Sequence, residues 1–153
     1  MSHERAASGR ILIVDDEPEL VEGFRSVLEG AGFEATIQTS LITLPLTIRK
    51  LNPDLILVDL SMPGLSAPAF FAQGAHRLLR TKAPIILFSG RDSRELSRIT
   101  EEVGADGFLC KAHDLEDSVR RIRLWVSQRR AIQTAGTAEE RRDESRPASP
   151  AAQ

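Results

Sequence analysis

The sequence predicts an α/β fold: a doubly wound (βα)5 arrangement in which helices cover both faces of a five-stranded parallel sheet. Three observations carry this prediction. Apolar runs of strand length alternate five times with stretches of helical periodicity, and alternating βα units call for a parallel sheet. Three of the runs are apolar at nearly every position, as strands covered on both faces must be. Polar groups then close four of the runs: Asp15 with Asp16, Asp59, Ser89 and Lys111. A hydrophobic core has no use for that set.

Strands are expected near 10–15, 33–39, 54–60, 84–89 and 107–111, and helices near 17–30, 43–51, 67–80, 93–103 and 114–132. The first, third and fourth strands contain Ile11-Leu12-Ile13-Val14, Leu55-Ile56-Leu57-Val58 and Ile85-Ile86-Leu87-Phe88. The second, Phe33 to Thr39, alternates apolar and polar, so one face reaches water and it belongs at an edge. The fifth is short and is placed at the other edge. With right-handed crossovers, the order 2-1-3-4-5 satisfies these constraints. This is the flavodoxin-like arrangement, with its ligand crevice at the carboxyl ends of strands one and three.

The helices support the frame. Leu20, Val21, Phe24, Val27 and Leu28 form the stripe of the first helix, with Pro18 in its first turn and Gly32 past its end. Pro45 and several β-branched residues predict a late start near Pro45, or a short and irregular second helix. Phe70 and Phe71 in the third helix are expected in the core. Asp92 with Glu95 resembles a capping box for the fourth helix, whose stripe is Leu96, Ile99 and Val103 before Gly104. Leu115, Val119, Ile122 and Val126 form the last stripe, with Trp125 packing beside it.

Composition limits the function classes. The 153 residues suit one domain plus tails. A net charge of -2 gives no whole-chain pull toward nucleic acid or an anionic membrane. Arg120, Arg121, Arg123, Arg129 and Arg130 make the last helix basic, yet no aromatic platform or DNA-binding module accompanies them. They read as a solvated helix face, with pairing across a dimer as the sharper alternative. One cysteine, Cys110, excludes an internal disulfide and a cysteine-rich metal cluster, and it reads as a small buried residue. His76 and His113 have no partner at metal-ligand spacing and read as surface or capping residues. No apolar stretch approaches the roughly 20 residues needed to span a bilayer, and no secretion signal is evident. A soluble cytoplasmic protein is expected.

The four polar strand ends suggest chemistry. Mg²⁺ takes six oxygens, often one or two carboxylates with waters and phosphate oxygens. Asp16 and Asp59, with Asp15 acting through water, suit such a site. A carboxylate beside the metal can attack a phosphoryl group. Lys111 can neutralise charge on the transferring oxygens, and Ser89 can donate to one of them.

The chain resembles the receiver domain of two-component response regulators, of the chemotaxis-regulator type. The matching residues are Val14-Asp15-Asp16-Glu17, Pro53 to Asp59 followed by Met62-Pro63-Gly64, Pro84 to Gly90, Gly104 to Phe108, and Lys111. The match covers about residues 9–130. The resemblance implies phosphorylation of Asp59 from a sensor histidine kinase or phosphotransfer protein. It implies Mg²⁺ or Mn²⁺ held by Asp15, Asp16 and Asp59, and a phosphoryl contact from Lys111. Ser89 and Phe108 would form a switch that reshapes the face built by the fourth helix, fifth strand and fifth helix. That face would engage an unidentified downstream protein or a second copy of the chain. Ser61 and Arg91 would line the rim and govern access of the hydrolytic water.

Residues 10–133 are thus expected to form the receiver, with 1–9 an N-terminal extension and 134–153 a disordered tail. A stand-alone receiver is expected, with its output in trans, no membrane or nucleic-acid partner, and no enzymatic turnover beyond its own phosphorylation and dephosphorylation. The family commonly has proline after the lysine, with a cis bond before it. Here Ala112 follows, and a non-proline cis bond costs about 2.5–4 kcal/mol. A trans Lys111–Ala112 bond with a reshaped loop, or a strained cis bond, is therefore expected. This departure supports an alternative, a receiver that binds partners independently of phosphorylation. A Mg²⁺-dependent phosphatase on the same architecture is the third reading, and the chain lacks an evident second general acid for it.

Overall fold

The computed structural model describes residues 8–145. Its elements are β1 (Arg10–Val14), α1 (Pro18–Gly30), β2 (Glu34–Gln38), α2 (Leu44–Leu51), β3 (Leu55–Asp59), α3 (Ala67–Ala72), α4 (Ala75–Leu79), β4 (Ile85–Ser89), α5 (Ser93–Val103), β5 (Gly107–Cys110) and α6 (Leu115–Glu144). The strands form one parallel sheet in the order β2-β1-β3-β4-β5, the order expected from the sequence.

The two-residue period of a strand divides β1 between two cores. Ile11 and Ile13 face a cluster with Phe24 and Leu28 of α1 and Ile122 and Val126 of α6. Leu12 and Val14 face the other cluster, with Leu44 and Ile48 of α2 and Leu79 of α4. Every residue of β3 and β4 is buried. Burying one such aliphatic side chain contributes about 1.5–3 kcal/mol, so these strands carry the fold. β2 keeps Glu34 and Thr36 exposed, as an edge strand does.

Helix starts follow local chemistry. α2 begins at Leu44 with Pro45 in its first turn, matching the late start. Asp92 Oδ1 accepts the Glu95 N–H at 2.9 Å and caps α5. The reciprocal half of the capping box does not form, because Glu95 accepts instead from Arg91.

Five expectations need correction. The third helix is two helices, because Gly74 adopts φ 78, a left-handed conformation that ends one right-handed helix before the next begins. Phe70 and Phe71 are half-buried, stacked edge to face at 5.3 Å against the second cluster rather than within it. Leu20 is 71% exposed and lies off the α1 stripe. The N-terminal extension is already part of the fold at residues 8 and 9. Ser8 N–H donates to Gly32 O, Glu34 N–H donates to Gly9 O, and Gly9 is buried. Residues 1–7 lie outside the described residues.

The expected disordered tail is helical as far as Glu144. Its residues 134–144 are exposed throughout, so packing does not hold them. Continuing a helix already nucleated at Leu115 avoids the nucleation cost, and Ala135, Ala138, Glu139, Glu140, Arg141 and Arg142 are strong helix formers. Residues 146–153 of that tail lie outside the described residues. Among the described residues no helix is long and apolar enough to cross a membrane.

Candidate phosphoryl and metal site

The parallel register gathers the polar strand ends in one row. Val14 stands opposite Val58, Asp59 opposite Phe88 and Ser89 opposite Cys110. Asp15 extends the ladder beyond β1, its N–H donating to Gln38 O at 3.0 Å. Asp15, Asp16, Asp59, Ser89 and Lys111 therefore lie at the carboxyl end of the sheet.

Asp15 is fully buried and Asp59 almost so, while Asp16 is exposed. One carboxylate oxygen from each lies within 4.8 Å of the others. Ligands on opposite sides of a Mg²⁺ ion at about 2.1 Å stand about 4.2 Å apart, so this trio needs little adjustment to share one cation. Lys111 Nζ lies 2.7 Å from Asp15 Oδ2 and 3.5 Å from Asp59 Oδ2. One ammonium thus serves two buried carboxylates and leaves a negative balance, which Asp16 increases. An all-oxygen donor set with surplus negative charge fits a hard divalent cation such as Mg²⁺.

Backbone groups hold the acids in place. Asp15 Oδ1 accepts from Glu17 N–H at 2.9 Å, and Asp59 Oδ1 accepts from Ser61 N–H at 3.0 Å. Ser89, 2% exposed, accepts from Arg91 N–H at 3.2 Å through Oγ. A hydroxyl that accepts still has a proton to donate. Cys110 Sγ–H donates to Arg91 O at 3.0 Å, and Lys111 N–H donates to Ser89 O at 2.7 Å. These two bonds tie the loop after β4 to the end of β5. Cys110 is therefore buried as expected and is also a loop anchor, which its residue type does not signal.

The described residues contain no cis peptide bond, so Lys111–Ala112 is trans. Lys111 still reaches both acids. Its side chain also passes over the Phe88 ring, with Nζ 5.2 Å from the centroid.

Phe108 is half-buried on β5, and the Arg121 guanidinium carbon lies 5.3 Å from its ring centroid. Arg121 stands equally far from the Trp125 ring. The sequence reading missed this clamp, although Arg121 and Trp125 are four apart on one helix face, a spacing that brings side chains together. Ser61 and Arg91 are exposed, each two residues past a polar strand end, with Arg91 paired to Glu95 at 3.0 Å. His113 meets Ser93 Oγ at 2.8 Å and His76 meets Asp106 at 2.8 Å. The last helix is not simply a solvated basic face. Arg123 donates to Ala31 O, Arg130 pairs with Asp54, and Arg129 is buried.

A family model described as the response regulator receiver domain matches residues 11–123. The sensory transduction protein RegX3 of Mycobacterium tuberculosis is 31% identical over 113 residues, which span 74% of this chain and 48% of that protein. The DNA-binding response regulator MtrA of Mycolicibacterium smegmatis is 32% identical over 116 residues, 74% of this chain and 49% of that one. The chain therefore spans about half the length of these curated relatives. A CheY-like receiver domain from Methanospirillum hungatei superposes with TM-score 0.66 at 26% identity, over 80% of this chain and 97% of that one. Full-length FixJ from B. japonicum gives TM-score 0.71 at 20% identity, over 88% of this chain and 66% of that one, a likeness of fold.

Proposed function

The chain belongs to the response regulator receiver family, a family of signalling domains in two-component signal transduction, and from that premise we propose that Asp59 is its phosphoacceptor. An Asp59 carboxylate oxygen attacks phosphorus on a phosphohistidine. The N–P bond breaks, the imidazole leaves and takes a proton, and an aspartyl phosphate remains. Water later attacks that phosphorus, restores the carboxylate and releases inorganic phosphate. The observation supporting this reading is the Asp15, Asp16 and Asp59 trio with Lys111 between its two buried members.

Mg²⁺ or Mn²⁺ held by Asp15, Asp16 and Asp59 would supply charge neutralisation at the transferring oxygens. Lys111 shifts its hydrogen bond toward the new phosphoryl group. Ser89 donates its free proton there. Phosphorylation adds about -1.5 to -2 charge and three acceptor oxygens. Charge-assisted hydrogen bonds of about 1.5–3 kcal/mol each can together reach the about 5.5 kcal/mol that moves a 1:99 population to 99:1. Ser89 then leaves room behind it for Phe108, and the α5–β5–α6 face changes. That face engages a downstream protein or a second copy of the chain.

Ser61 and Arg91 form the rim of this site. The exposed Arg91–Glu95 pair is worth only a few tenths of a kcal/mol, so Arg91 can exchange it for a phosphoryl oxygen and screen the carboxyl phosphate from water. This reading goes with a cytoplasmic chain whose partner is a sensor histidine kinase or phosphotransfer protein. The expectation against nucleic acid is not carried forward, since one relative is named a DNA-binding regulator. The test is phosphotransfer from phosphorylated histidine kinases of the same source. Label on the wild type and none on Asp59→Asn supports the reading, and no labelling by any kinase contradicts it.

A phosphorylation-independent interaction module is the second reading. Its motive was the residue after Lys111. With a trans bond there, Lys111 still lies 2.7 Å from Asp15 and 3.5 Å from Asp59, the contacts on which the phosphoacceptor reading rests.

A further inference from the structure

A cavity of about 640 Å³ opens at the end of the sheet opposite Asp59, between α2, α4 and α6. That volume lies in the range of small-molecule sites. Four cationic side chains line it, Arg49, Arg80, Lys82 and Arg129, and no acid does.

Arg129 is the informative member. It is 9% exposed, and its Nε is buried with no hydrogen-bond partner among the described residues. A buried N–H without a partner is costly, and burial pushes this guanidinium below its ordinary pKa. Asp54, the acid whose charge opposes that shift, accepts the Arg10 N–H at 2.8 Å and the Arg130 guanidinium at 3.3 Å on its Oδ2.

Several carbonyls at these helix ends already have partners: Asn52 N–H donates to Ile48 O and the Arg10 guanidinium to Leu51 O at the end of α2, and Arg80 N–H donates to Arg77 O and Thr81 N–H to His76 O at the end of α4. Beside the cations lie Leu46 and Leu78, exposed apolar side chains on the same wall.

We propose that this cavity binds a small phosphate monoester with an apolar body. The phosphate engages Arg129 at depth and Arg49, Arg80 and Lys82 around it, and the organic group lies on Leu46 and Leu78. A phosphate dianion balances more of this positive charge than a carboxylate does, and its oxygens accept from several guanidinium N–H groups at once. The adjoining cavity of about 340 Å³ shares Lys82 and Arg129 and reaches Trp125. Trp125 in turn meets the Arg121 that covers Phe108, so the site adjoins the proposed switch face.

The test is a titration of the full chain with phenylphosphonate, a phosphoryl probe that transfers nothing. It is run in EDTA so that the aspartate site carries no metal, and backbone amide shifts are the readout. Saturable shifts are expected at Asn52, Thr81, Lys82 and Gln133, with the midpoint weakened about fivefold or more in Arg80→Gly and Arg129→Met. Arg80 has φ 50, a conformation glycine adopts without strain, so Arg80→Gly retains the fold. Together with Arg49→Ala it decides the matter should Arg129→Met not fold. Shifts that never saturate, shifts confined to Asp15 and Lys111, or variant midpoints equal to wild type overturn the site. Benzoate binding as tightly as phenylphosphonate overturns its assignment to phosphate.

Discussion

Lys111 holds Asp15 more closely than it holds the proposed phosphoacceptor: its Nζ is 2.7 Å from Asp15 and 3.5 Å from Asp59. The ammonium is therefore shared, and Asp59 keeps an oxygen for chemistry. Removing Lys111 leaves two buried carboxylates with no cation. Lys111→Ala should lose about 3 kcal/mol in EDTA, near the low end for breaking a buried pair, and regain part of it with Mg²⁺. Urea unfolding with and without the metal measures this. A loss below about 0.5 kcal/mol, the size of an exposed pair, contradicts the shared-cation description.

Asp59→Asn should have the opposite sign. It removes one of two like charges served by a single ammonium, so the metal-free protein should gain about 1 kcal/mol. The variant should also respond less to Mg²⁺. A metal-induced stabilisation as large as the wild type's excludes Asp59 from the cation site.

Arg121→Ala should loosen Phe108. A cation–π contact is worth about 0.5–1 kcal/mol at an exposed site, enough to raise the inward population severalfold. Trp125 is the only tryptophan and lies against Arg121, so its emission reports on the clamp. Beryllium fluoride with Mg²⁺ should shift that emission in the wild type and less in Arg121→Ala, whose starting spectrum already lies toward the activated one. Identical spectra and responses in both proteins contradict the clamp.

Gly107→Ala should destabilise by about 1–3 kcal/mol through overpacking. An added Cβ meets Trp125 Cζ2 at 2.8 Å and Ile86 Cδ1 at 3.3 Å. Thermal unfolding checks it, and an unchanged midpoint means that Trp125 does not pack where it is described.

Cutting the chain after Thr134 should leave unfolding free energy within about 0.5 kcal/mol of the full chain, because residues 135–145 are exposed. Far-ultraviolet dichroism should fall by the helix lost from 135–144. A large loss of stability contradicts the exposed helix.

Much of this architecture is legible because periodicity and burial say the same thing. Ile11 to Val14 and Leu55 to Val58 are uniformly apolar, and each lies between two helical layers. The polar residues that follow them mark the crevice end by position alone. What stays hidden depends on three-dimensional neighbours. Gly74 divides a helix through one dihedral angle, and glycine within a helical pattern does not always do so. Residues 134–144 look polar and unpackable, yet a helix already under way needs only propensity to continue. Arg129 looks like one more solvated arginine until the fold buries it beside the cavity that α2 and α4 also line. Cys110 looks like filler until its thiol meets Arg91 O.

Intact-mass spectrometry after incubation with acetyl phosphate and Mg²⁺ tests the central claim most directly. The account predicts one added phosphoryl group on the wild type, lost on adding EDTA before the donor and absent from Asp59→Asn. An unmodified wild type, or equal modification of Asp59→Asn, contradicts it.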